Sequence, residues 1–229
     1  MAFYTNVRAV GNQIFLRGVD DLGERFSKKV RYSPTLFTSS KKITKYTTID
    51  GKYVSPISFG GLKEARSRIE DYKDVEGFNL YGFDKFDTTF IGDEYPEEIE
   101  YDFEKIMVAN IDIEVASDEG FPHAEFAASP VISIAVKFNE AFYVFGFGEP
   151  DGCKIQETLA ERDIIYVSCD NEIDLLDRFL YTWNEFSPDI VTGWNVNGFD
   201  IPYLYNRINK VIDEKTAKTL SPWKFVSFR

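Results

Sequence analysis

One stretch constrains the fold more than any other: Ala109-Asn110-Ile111-Asp112-Ile113-Glu114-Val115, inside an apolar run that opens at Ile106. Alternate residues of a strand share a face. Asn110, Asp112 and Glu114 therefore point one way, and Ile111, Ile113 and Val115 the other. A strand this apolar is expected inside a sheet rather than at an exposed edge. Two carboxylates roughly 7 Å apart along one strand face repel each other and cannot be buried bare. They need Lys or Arg partners, protonation or a divalent cation, and hard oxygen donors suit magnesium or manganese. An ordinary half-solvated sheet with a polar face accounts for the same alternation.

The segments around this strand set the fold class. Upstream, residues 2–32 alternate short apolar runs with turn signals at Gly11-Asn12 and Asp20-Asp21-Leu22-Gly23, which predicts antiparallel β structure. Leu62, Ala65, Ile69 and Tyr72 have helical spacing. Residues 88–104 read as a strand and an acidic connector. Downstream, Val131 to Phe138 and Phe142 to Phe147 are strand candidates joined at Asn139-Glu140, and Ile164 to Val167 is another. Asn171 is placed to cap a helix with Ile173, Leu176, Leu180 and Trp183 on one face, stopped by Ser187-Pro188. Ile190-Val191-Thr192 is a further strand. A second helix follows Asp200, with Leu204, Ile208 and Val211 on one face.

The second half thus reads β-β-β and then β-α-β-α, which predicts a mixed sheet with flanking helices, an α/β (α+β) fold preceded by a smaller β-rich domain. A change of texture near residue 105 places the expected domains at 1–104 and 105–229. The 229 residues suffice for one large domain or two small ones, and 44% hydrophobic with 28% charged residues rule out a disordered or fibrous chain.

Composition also limits the chemistry. A single histidine, His123, excludes a multi-histidine metal site, so any metal site must be built from oxygen. Two cysteines cannot make a disulfide framework, which points to a reducing, cytoplasmic setting. No apolar run approaches the roughly 20 residues of a membrane helix, and the N-terminus lacks a signal-peptide stretch, so no membrane partner is expected. The net charge is -12, a poor basis for nucleic-acid binding by bulk charge. It is unevenly spread: residues 1–52 hold ten Lys/Arg against four Asp/Glu, leaving -18 for the rest. Tyr4, Phe15, Phe26, Tyr32 and Phe37 interleave with those basic residues. They read as sheet core, or alternatively as a surface that stacks single-stranded nucleic acid.

A second constellation is Thr192-Gly193-Trp194-Asn195-Val196-Asn197-Gly198-Phe199-Asp200-Ile201-Pro202. A strand ends at Gly193, a loop follows, and Asp200 stands before a helix with Pro202 in its first turn. Asp200 is well placed as an N-cap. Alternatively its carboxylate turns toward the acidic face of the sheet, since ligands gather at strand ends in α/β folds. Asp112, Glu114 and Asp200 together would suit two-metal phosphoryl hydrolysis, which clamps two divalent ions about 3.5–4 Å apart between carboxylates.

At this point the chain resembles a family. Asn110-Ile111-Asp112-Ile113-Glu114-Val115 is similar to the first exonuclease motif, D-x-E, of the family B DNA polymerases. Gly193 to Tyr203 is similar to their second motif, N-x-x-x-F-D, with a Pro two residues after the Asp. The two lie in the right order, 86 residues separating Glu114 from Asp200. The N-terminal stretch Val30-Arg31-Tyr32-Ser33-Pro34-Thr35-Leu36-Phe37 looks like that of the replicative polymerases of T-even-type bacteriophages and their cyanophage relatives, and the similarity runs nearly end to end. The resemblance implies a ribonuclease-H-like fold and a proofreading 3′→5′ exonuclease using two Mg2+ or Mn2+ ions. It implies Asp112, Glu114 and Asp200 as metal-binding and catalytic carboxylates, and Phe121, Asn195 and Phe199 as substrate contacts. The bland readings are a loop aromatic for Phe121 and a loop cap for Asn195.

The departures matter as much. Nothing after Asp200 fits the family's third motif, Y-x-x-x-D. Tyr166…Asp170 has the spacing but precedes the second motif, and Asp170 reads as part of a strand-to-helix turn. The palm, fingers and thumb motifs are absent. The expectation is a truncated or split polymerase, weak or inactive alone, completed by a C-terminal polymerase fragment. Its partners would be single-stranded DNA 3′ ends, with RNA as a second candidate. A sliding clamp would be reached only through the C-terminal fragment. The alternative is a non-catalytic nucleic-acid-binding or assembly module.

Overall fold

The structure, a computed structural model, describes residues 2–117, 120, 122–150, 160 and 162–227. Two compact units divide the chain, residues 1–105 and residues 106–229.

In the first unit, β1 (Phe3–Val10), β2 (Gln13–Val19) and β3 (Arg25–Val30) form an antiparallel meander in the order β1-β2-β3. The turn between β1 and β2 needs Gly11, whose φ is 58°. β4 (Thr35–Ser39), β5 (Tyr46–Thr47), β6 (Tyr53–Ser58) and β7 (Leu80–Tyr81) make a second sheet in the order β5-β6-β4-β7. α1 (Leu62–Tyr72) and α2 (Phe86–Glu94) complete the unit. Its core gathers Ile14, Leu16, Leu36, Phe59, Leu62, Ala65, Phe86 and Phe90.

The strand expected within residues 88–104 is corrected here, because that stretch opens inside α2. Thr88-Thr89-Phe90-Ile91 looks β-prone locally. Phe86 and Phe90, four residues apart, both drop into the core, while Thr88, which a strand would place on the same face, is exposed, as a helical period requires. The aromatics among the basic residues mostly serve packing. Phe15 is buried, and Tyr4, Phe26 and Tyr32 pack against the core. Lys28 and Lys29 lie over the Phe26 and Phe15 rings.

The second unit is a five-stranded mixed sheet in the order β11-β10-β9-β8-β12. β8 (Val108–Val115), β9 (Val131–Phe138) and β10 (Ala141–Phe147) are antiparallel. β11 (Ile164–Cys169) runs parallel to β10, and β12 (Ile190–Thr192) parallel to β8. α3 (Glu172–Phe186) links β11 to β12 and packs on β9, β10 and β11, while α4 (Asp200–Val211) lies against β8. This is the ribonuclease-H-like mixed sheet with flanking helices, and a β-rich N-terminal part precedes it. β8 has neighbours on both sides, as its apolar content requires. Leu175, Leu176, Phe179, Leu180 and Trp183 of α3 are buried. Phe145 meets Phe179 edge-on, and Phe138 meets Trp183 in the same way. Ile173, expected on that face, is half exposed, and Leu175 and Phe179 take its place.

Candidate functional site

The face of β8 alternates as its composition requires. Ile111 and Ile113 are buried, while Asn110, Asp112 and Glu114 are exposed on the other side. In the antiparallel register with β9, Asp112 stands opposite Ala135 and Glu114 opposite Ser133. Small partners leave the two carboxylates room. Lys137, opposite Asn110, shares that face one rung away.

β12 brings the second motif alongside. Gly193 ends it, and a Cβ there would fall 2.3 Å from the Ile111 carbonyl oxygen, so only glycine permits this approach. Asn195 follows with φ 53°, and its carbonyl accepts the N–H groups of Gly198 and Phe199. A Cβ at Gly198 would lie 2.4 Å from Asn195 Oδ1. The Asn195 side chain thus folds over its own loop, and Phe199 packs partly into the core beside Tyr203.

Asp200 is not the N-cap of α4, which corrects the first of its two expected roles. The cap position is Phe199, with no side-chain bond to the helix, and Asp200 is the first helical residue. Its Oδ1 instead accepts the backbone N–H of Ile113 at 3.1 Å, in the buried gap between helix and strand. Ile113 sits between Asp112 and Glu114, so the carboxylate of the second motif docks on the strand of the first. Only 3% of Asp200 is exposed. Burial pushes its carboxyl above the ordinary value, and the charge of Asp112 pushes the same way. The backbone N–H groups of Asp200 and Ile113 pull it back.

Asp112, Glu114 and Asp200 line one cavity of about 320 Å³ together with Val115, Ser117, Pro122, Trp194, Asn195 and Phe199. Among the described residues no Lys or Arg lines it. The donor set, carboxylate oxygen throughout, therefore fits a hard divalent cation in kind. Among the described residues no group of three or more His, Cys, Asp or Glu is gathered tightly enough to hold a metal ion. The three carboxylates share a pocket without closing on one point. Phe121 lies outside the described residues. Asp170 falls between β11 and α3, where its N–H donates to Asp174 Oδ2.

Sequence reading passed over two features. Trp194 stands 91% exposed at the rim of this cavity, and its only sequence signal is an aromatic between Gly193 and Asn195. The other is Arg207, 8% exposed, which forms a paired bridge to Glu172 through Nε–Oε1 and Nη2–Oε2, both 2.7 Å. The hydrogen-bonded Glu172 carboxylate raises the Arg207 pKa further. An arginine seven residues after Asp200, among the apolar positions of a helix, is the signal that could have found it. Removing one partner of such a buried pair typically costs about 3–5 kcal/mol.

Residues 85–227 match the family model for the exonuclease domain of DNA polymerase family B. The chain is 38% identical over 242 residues to the DNA-directed DNA polymerase of Escherichia phage RB69, covering 96% of this chain and 27% of that protein. It is 33% identical over 241 residues to the DNA-directed DNA polymerase of Enterobacteria phage T4, covering 96% of this chain and 26% of that one. A shorter match, 33% over 114 residues and 48% of this chain, is to the DNA polymerase catalytic subunit of rat cytomegalovirus. The chain spans about a quarter of the length of the two phage relatives.

Proposed function

Because this chain belongs to the family B DNA polymerases through their exonuclease domain, we propose that its second unit carries a 3′→5′ exonuclease site for single-stranded DNA ends. The observation that supports this most is the bond from Ile113 N–H to Asp200, which joins the two acidic motifs across 87 residues of sequence. Asp112, Glu114 and Asp200 would hold Mg2+ or Mn2+. When bound, two such ions supply Lewis-acid activation of water and neutralise charge at the scissile phosphate. The chain's own residues do the rest. Asp200 is held in place by backbone donors, and Asn195, Phe199 and Phe121 would contact the terminal nucleotides. In the reaction, water oxygen bonds to phosphorus, the P–O3′ bond breaks, and a nucleotide 5′-monophosphate leaves behind a new 3′-hydroxyl.

The open spacing of the carboxylates supports one further element of the reading. A C-terminal polymerase polypeptide would supply another carboxylate, draw the site closed, provide polymerisation, and carry any contact to a sliding clamp. The test is hydrolysis of a 5′-labelled single-stranded oligonucleotide with Mg2+ or Mn2+, with and without that polypeptide. Shortening from the 3′ end is expected to be weak for the chain alone, stronger with the polypeptide, and lost in Asp112→Ala. Vigorous degradation that survives Asp112→Ala would overturn the site assignment.

A second reading, a nucleic-acid-binding module, is favoured by one observation in the first unit. A cavity of about 470 Å³ is lined by Phe37, Tyr46 and Tyr81, and Lys45 lies over the Tyr46 ring. Salt-sensitive binding of single-stranded RNA or DNA that persists without the three carboxylates would support it.

A further inference from the structure

The helix that begins with Asp200 also grips the chain segment between β8 and β9. One stripe of α4, three, six, seven and ten residues after Asp200, faces that segment and donates to its main chain. Tyr203 Oη reaches the Ser129 carbonyl at 2.7 Å, and Asn206 Nδ2 the Ala124 carbonyl at 2.9 Å. Arg207 Nη1 reaches the carbonyls of Ala127 and Ala128 at 3.1 and 2.8 Å, and Lys210 Nζ that of Phe126 at 3.5 Å. Glu172, paired with Arg207, accepts the N–H of Val131 at 2.7 Å. Five carbonyls of one segment, four of them successive from Phe126 to Ser129, thus bond to side chains outside it. Ser117 and Pro122, earlier in the same connection, line the carboxylate cavity.

We propose that Arg207 and Asn206 are positioning residues: they hold residues 122–130 in register at the mouth of the carboxylate cavity, and through them the bound 3′ end. The proposal rests on reading that cavity as a nuclease site. Its logic is geometric. Asp200 and the stripe share one rigid helix, so the carboxylate and the rim of the cavity keep a fixed spacing. Neither residue lines the cavity, so each acts through the segment and not on substrate. The Arg207 fork reaches two carbonyls and a carboxylate at once, which a lysine ammonium cannot copy.

The test compares wild type, Arg207→Lys, Asn206→Ala and Arg178→Ala in the full chain. Arg178→Ala removes only a surface pair with Asp174 and serves as control. Two readouts are taken at matched thermal midpoints: amide hydrogen exchange over residues 122–131, and Mn2+-dependent affinity for a single-stranded oligonucleotide with a phosphorothioate 3′ linkage. The expected result is exchange about tenfold faster in residues 122–131 but not in the rest of β9 or in β10. Affinity should fall about tenfold in Arg207→Lys and threefold in Asn206→Ala, with the control unchanged. Unchanged exchange overturns the clamp. Faster exchange with unchanged affinity overturns its role in substrate positioning. Wild type that fails to bind, or that binds equally after Asp112→Ala, defeats the nuclease reading and with it the substrate half of the proposal, while the exchange pattern still decides the clamp.

Discussion

α3 and α4 each begin at an Asx residue, Asn171 as the cap and Asp200 as the first helical residue, and they use it in opposite ways. Asn171 turns its side chain back onto its own helix and accepts the N–H groups of Ile173 and Asp174 at 3.0 and 3.2 Å. α3 therefore satisfies two of its own orphan donors locally. Asp200 leaves its helix without a side-chain cap and gives its carboxylate to the neighbouring strand. The second arrangement forgoes a local stabilisation of about 1 kcal/mol and puts a charge in a buried position near Asp112. A local rule broken beside a face that carries Asp112 and Glu114 is what a functional site, rather than packing, would call for.

The sharpest way to break this comparison is to neutralise Asp200 while keeping its shape. Asp200→Asn retains an oxygen that can accept the Ile113 N–H. Mn2+ binding, followed by electron paramagnetic resonance, is expected to weaken by at least about tenfold, in line with losses typical of perturbed metal shells. The thermal midpoint without metal should hold or rise, because repulsion from Asp112 disappears. A large drop in midpoint with unaltered Mn2+ binding would make Asp200 a structural residue after all, no different in kind from Asn171.

The mirror experiment is Asn171→Ala. Losing two capping bonds should cost about 1 kcal/mol, which for a chain of this size lowers the midpoint by about 2–4 °C. Mn2+ binding should not change. If it did, the two helix starts would not be separable into one for stability and one for chemistry. Closely related is Ser187, which ends α3 with φ 44° and donates its N–H to the Trp183 carbonyl. Glycine adopts that conformation freely, so Ser187→Gly should gain about 0.5 kcal/mol, visible as a small rise in denaturation midpoint.

How much of this was legible in the sequence depended on whether the deciding contacts were local. The polar face of β8 follows from a period of two, and the cap and stop of α3 from residues adjacent in the chain. The start of α4 was ambiguous, since an acid before a helix reads alike whether it caps or reaches away, and only the strand beside it decides. α2 was hidden because Thr88 to Ile91 favour a strand locally and Phe86 with Phe90 override that through the core. The Arg207–Glu172 bridge and the carbonyls it holds join residues 127, 128, 172 and 207, and no pattern along the chain records such a meeting.

The smallest expected effect concerns the face of α3. Helical spacing puts Ile173 with Leu176, Leu180 and Trp183, yet Ile173 is 50% exposed and Phe179 is fully buried. A stripe read from spacing alone leaves its rotation about the helix axis undetermined by up to one position. Here the sheet strands β9 and β10 select the side that buries Leu175 and Phe179, because Phe145 and Phe138 fill the space between them. Ile173→Ala should then change stability by less than about 0.5 kcal/mol, whereas Phe179→Ala at the same helix should cost about 3–5 kcal/mol. Chemical denaturation of the pair measures the difference directly. Equal losses at both positions would mean that α3 is rotated toward Ile173, and that the packing which frees its first turn to cap itself has been misplaced.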